Sequence, residues 1–98
     1  LTACYSRDHD VVNRTIAGET ILVPIRNRTG NLGSIYTLNE VGTLIWETID
    51  GPTPLHKIIE SVVAAYQVTV DEAQQDISAF LKMLEEAGLI HISKVSEE

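Results

Sequence analysis

The sequence predicts an α+β fold, three antiparallel strands followed by three helices. Three observations carry this. Apolar residues alternate with period two before residue 39. They switch to helical spacing after it. Strong turn and cap signals separate the segments, and strands in a run followed by helices in a run read as α+β.

The strand half starts at Val11. Residues 11–17 mix β-branched side chains with Asn13 and Arg14, and Gly18-Glu19 reads as a turn. In 20–26, Ile21, Val23 and Ile25 fall on one face of a second strand. Pro24 cannot donate to a ladder, so a bulge or an unpaired position is expected there. Two glycines and two asparagines in 27–33 mark a loop. Ser34 to Leu38 reads as a short third strand, closing a meander over 11–38.

Asn39 is a good N-cap for a helix carrying Val41, Leu44, Ile45, Trp46 and Ile49. Asp50-Gly51-Pro52 stops it, since glycine adopts the left-handed cap and proline cannot continue. Thr53-Pro54 restarts a helix, with Thr53 as N-cap, running to about Tyr66. Thr69-Val70-Asp71-Glu72 has capping-box form. It opens the longest helix, with Ala73, Ile77, Phe80, Leu81 and Leu84 on one face, ended by Gly88. Leu89–Ile92 leaves room for a brief final strand. The expected organisation is a flexible arm at 1–10, one domain at 11–92 and a tail at 93–98.

Composition narrows the function. The 98 residues allow one domain of modest core. Net charge is −7, from 7 basic and 14 acidic residues, which opposes phosphate contacts and docking to anionic lipid. The third helix is itself acidic, with Lys82 against Asp71, Glu72, Asp76, Glu85 and Glu86, so it would be repelled from a DNA groove. No apolar run reaches membrane-spanning length, and residues 1–20 show no signal-peptide architecture. Cys4 is the single cysteine and fits a reducing, cytoplasmic setting. His9, His56 and His91 lack metal-site spacing, and Cys4 has no base held beside it. Gly30-Asn31-Leu32-Gly33 lacks the lysine of a phosphate loop. No catalytic residue, metal or cofactor is expected.

An ordered pattern remains. Leu38-Asn39-Glu40-Val41-Gly42 enters a helix, Asp50-Gly51 ends it, and Thr53, Ile58 and Tyr66 follow. Asp76-Ile77, Phe80-Leu81, Leu84 and Gly88-Leu89-Ile90 complete it. Over residues about 11–92 this resembles the PqqD family, small proteins of pyrroloquinoline-quinone biosynthesis and their relatives. Each piece also has a plain structural role, Trp46 as a core residue included. The resemblance implies a winged helix-turn-helix without catalytic residues. It would bind the leader of a ribosomally made precursor peptide and present it to a modifying enzyme, commonly a radical S-adenosylmethionine enzyme. The leader would add as a strand beside the third helix. The peptide-binding residues would then be Ser34, Ile35, Tyr36, Thr37 and Leu38 on the edge strand, with Asp76, Ala79, Phe80 and Met83 on the helix flank. Met83 reads equally as a lone exposed apolar residue or as an adaptable groove wall.

Leu89 stands where pyrroloquinoline-quinone members often carry an aromatic. That, with Pro24, leaves a relative acting on another precursor equally open. Two rivals stand beside this reading: a winged-helix interaction module for regulation or assembly, and a small enzyme needing ionisable groups in a cleft. The exposed edge also permits a strand-paired homodimer.

Overall fold

A computed structural model describes residues 2–25 and 35–95. In chain order the elements are β1 (Thr2–Arg7), β2 (Val11–Ile16), β3 (Glu19–Pro24), β4 (Tyr36–Leu38), α1 (Glu40–Thr48), β5 (Thr53–Pro54), α2 (Leu55–Tyr66), α3 (Val70–Glu86) and β6 (Ile90–Val95). The fold is α+β, with an antiparallel meander, three helices and a C-terminal strand.

The meander forms, but β3 buries the face opposite to Ile21, Val23 and Ile25, which the alternation marks as apolar. β2 and β3 pair from Val11↔Pro24 to Ile16↔Glu19, joined by the two-residue turn Ala17-Gly18, both at positive φ. β4 pairs with β3 through Thr20↔Leu38, Ile21↔Thr37 and Leu22↔Tyr36. The inner face seats Thr20, Leu22 and Leu38 in the core, while Ile21, Val23 and Val12 face outward and stay part-exposed. Thr15 and Thr20, directly opposed, share a hydroxyl–hydroxyl hydrogen bond of 2.8 Å. The bulge expected at Pro24 is absent, because the register runs unbroken to that residue. Among the described residues β4 pairs with β3 as far as Leu22, so the described part of that ladder does not call on the N–H that Pro24 lacks.

Two of the three predicted side-chain caps are present. Asn39 Oδ1 accepts from Gly42 N at 2.9 Å. Thr69 accepts from Glu72 N at 3.2 Å, and the Glu72 carboxylate accepts from Thr69 N at 3.3 Å, a complete capping box. Thr53 does not cap α2. It forms β5 with Pro54, which pairs with Cys4 and Tyr5 of β1, and its hydroxyl donates to Gly51 O at 2.9 Å. A residue holding a bridge to β1 is unavailable to the next helix, and α2 starts from Pro54 with no side-chain cap.

The largest correction concerns the chain's start. The segment expected as a loose arm is β1, the middle strand of a second sheet ordered β5-β1-β6. β6 extends past the expected strand end at Ile92 into the expected tail, with its six pairs running from Thr2↔Val95 to Arg7↔Ile90. Cys4 is buried in this sheet. Arg7 at its end donates to the Trp46 carbonyl through Nε at 3.1 Å and an Nη at 2.7 Å, and its guanidinium lies 4.8 Å from the centroid of the Trp46 ring. That carbonyl is in the last turn of α1, where it also accepts from Ile49 N at 3.2 Å and where the negative dipole end favours a cation. Asp8 pairs with His91 across the same two strands.

One core joins the layers: Leu22 and Leu38 from the meander, Ile45, Trp46 and Ile49 from α1, Ile58 and Val62 from α2, Ala73, Ile77, Leu81 and Leu84 from α3, then Leu89 and Ile90. Trp46 is buried as expected, with its indole N–H lacking a hydrogen-bond partner. Tyr5 packs against this core from β1. Burial raises its phenol above the ordinary value, and the negative Glu85 adds to the rise. No described helix is long and apolar enough to cross a membrane.

Candidate functional site

β4 is the edge of the meander, since the sheet order is β2-β3-β4. An edge strand presents unpaired N–H and C=O groups that can template another strand. Beside it lies a groove of about 730 Å³, in the range that holds bound ligands. Thr37 and Leu38 form its β4 side, and Val41, Gly42 and Ile45 of α1 its floor. Val62 and Tyr66 of α2 close one end with Val68. Its long wall is α3, through Glu72, Ala73, Asp76, Ile77, Phe80 and Met83.

Local sequence builds each wall. The Asn39 cap starts α1 directly after β4, so strand and helix diverge at one residue and leave space between them. Gly42 sets how closely α3 approaches: a Cβ there would sit 3.1 Å from both Leu38 Cβ and the Phe80 ring. The glycine therefore lets the Phe80 ring lie against α1. The capping box fixes the start of α3 and hence which residues face β4. Apolar positions with 3.6-residue spacing turn Ala73 and Ile77 into the core, leaving Asp76, Phe80 and Met83 on the flank beside it.

Of the residues expected from sequence, Thr37, Leu38, Asp76, Phe80 and Met83 come together in this groove. Ile35 and Tyr36 do not line it: Ile35 is 63% exposed one residue before β4, and Tyr36 packs on the core. Ala79 is exposed on α3 but outside the lining. Ser34 lies outside the described residues. Met83, open between two readings, borders the groove while remaining 47% exposed. The sequence reading missed Val41, Glu72 and the α2 end, Tyr66 above all. Tyr66 is a 39% exposed aromatic on the last turn of α2, and its place in the groove depends on how the helices pack.

Among the described residues, the ionisable side chains that line the groove are Tyr66, Glu72 and Asp76. Among the described residues, no group of three His, Cys, Asp or Glu side chains could hold a metal ion.

An open strand edge beside a helix-walled groove is an arrangement that suits a small peptide-binding module. The sequence profile described as Coenzyme PQQ synthesis protein D (PqqD) matches residues 19–90, and the chain belongs to that family. Among solved structures it is similar to TbiB1 in complex with the TbiA(beta) leader peptide. The TM-score is 0.77 at 22% identity, covering 93% of this chain and 99% of TbiB1. No curated protein matches the sequence.

Proposed function

We propose that this protein is a non-catalytic recognition element for the leader of a ribosomally made precursor peptide. The leader adds as a strand to β4, its backbone completes that edge, and alternate side chains enter the groove against α3. Strand addition supplies affinity with little demand on sequence, and the groove supplies selection. The observation that carries this reading is the adjacency of the unpaired β4 edge to a mainly apolar groove in a PqqD-family chain. The leader peptide bound by the similarly folded TbiB1 supports it.

The role places the chemistry on another protein. A separate enzyme of the radical S-adenosylmethionine type takes the presented precursor, in the cytoplasm where such precursors are made. Ile35, Tyr36 and Ala79 belong to the binding surface as residues flanking the groove, with Thr37, Leu38, Asp76, Phe80 and Met83 in contact.

The test is a backbone NMR titration with the leader of the precursor encoded beside this chain. Amides of Ile35 to Leu38 and of 76–83 shift and saturate together. Saturating leader with no shifts in either segment would refute strand addition here. Shifts confined to another face would favour the protein-interaction alternative.

A further inference from the structure

We infer that the groove selects a leader segment with a bulky apolar side chain and, two or four residues from it, a lysine or arginine. This rests on leader binding at β4 and specifies which leader binds.

The wall contributed by α3 is chemically divided along its length. Its N-terminal half offers the Glu72 and Asp76 carboxylates, and its C-terminal half offers Phe80 and Met83. The lining around both halves includes the aliphatic Leu38, Ile45 and Ile77. Among the described residues, neither lysine, arginine nor histidine lines the groove; Lys82, the one cation on α3, is outside it. An apolar side chain from the peptide is stabilised over Phe80 and Met83 by removing surface from water. A carboxylate there would meet Glu72 and Asp76 with no cation among the described lining residues to offset them, whereas a lysine or arginine meets two acceptors. Glu72 holds this position even while capping α3, because an ionised carboxylate offers about four acceptor sites and the box engages one oxygen.

Helix rise and strand rise set the spacing. The midpoint of Glu72 and Asp76 lies seven to eight residues before that of Phe80 and Met83, about 11 Å along α3. A strand advances about 3.3 Å per residue and points alternate side chains to the same side. Groove-facing positions on the leader therefore recur about every 6.6 Å, so 11 Å falls between separations of two and four residues. An odd separation would put one of the two side chains on the far side of the added strand.

The experiment is a selection of random dodecapeptides by mRNA display against the whole chain, repeated with the double variant Glu72→Gln, Asp76→Asn. Glutamine at the third helical position still serves a capping box, so α3 is retained. The expected winners carry an apolar residue and Lys or Arg at even separation, and their amide shifts map to 35–38 and 76–83. The double variant binds the same peptides about three- to tenfold more weakly, as exposed ion pairs permit, and no longer enriches the basic residue. Raising salt closes the gap between the two proteins. Winners that map to the groove without a basic preference overturn this inference and leave leader binding intact. Winners that map elsewhere overturn both.

Discussion

The protein contains two three-stranded antiparallel sheets that differ in how the chain makes them. β2, β3 and β4 lie within residues 11–38, and β2 and β3 meet across a two-residue turn. β5, β1 and β6 come from the two ends and the middle, with Thr2 paired to Val95. The first sheet keeps an open edge beside the groove, while the second is tied to α1 through Arg7 and Trp46. A local hairpin carries a small closure entropy and can leave an edge free for a partner. A sheet closing nearly the whole chain carries a larger one and must be held by burial and side-chain contacts. The difference separates an open edge from a structural clasp.

The sharpest way to break this contrast is to remove the clasp's platform. Trp46→Ala empties a fully buried site and deletes the ring that Arg7 covers, so stability falls by about 3–5 kcal/mol in urea denaturation. Arg7→Met keeps much of the packing but loses two charge-assisted hydrogen bonds to a helix-end carbonyl, an expected loss of about 2 kcal/mol. Any peptide binding that these folded variants lose should match the fraction unfolded. A specific loss in the remaining folded protein would mean the clasp also shapes the groove.

Substitution on the open-edge side should give the opposite pattern. Met83→Glu changes an exposed helical position, so stability stays within about 0.5 kcal/mol. It adds a carboxylate to the apolar half of the groove, and leader affinity measured by calorimetry falls about tenfold. Unchanged affinity would remove Met83 from the site and restore its reading as a lone exposed side chain.

The smallest effect is a pH dependence of the clasp. Burial, with Glu85, raises the Tyr5 phenol above 10.0, so the folded state holds that proton more tightly than the unfolded chain. The stability linked to it is complete below pH 10 and is lost as pH rises past that value through the folded one. Tyr5→Phe, with no proton to lose, should show a shallower fall in Tm between pH 9 and 11. Identical slopes would mean Tyr5 is not what couples the clasp to pH.

Much of the site was legible because its parts are local. Asn39, the Thr69–Glu72 box and the alternation of 20–23 fix α1, α3 and β3 through neighbours a few residues away. Helical spacing then put Asp76, Phe80 and Met83 on one flank. Tyr66 and Val41 were not legible as groove residues, because their place depends on how α1 and α2 pack against α3. Thr53 was misread because its local pattern is that of an N-cap, whereas a strand nearly fifty residues upstream claims it.

The sequence by itself determined the α+β order, the side-chain caps at Asn39 and Thr69, the buried Trp46 and the net acidic charge. Period and capping chemistry are short-range, so they survive without the rest of the molecule. Only the tertiary structure decided that Thr2–Arg7 is a central strand. Its segment, Thr-Ala-Cys-Tyr-Ser-Arg, has no apolar alternation to announce it, and its partners arrive from residues 53–54 and 90–95. Packing likewise decided the groove, whose division into acidic and apolar halves exists only once α3 faces β4.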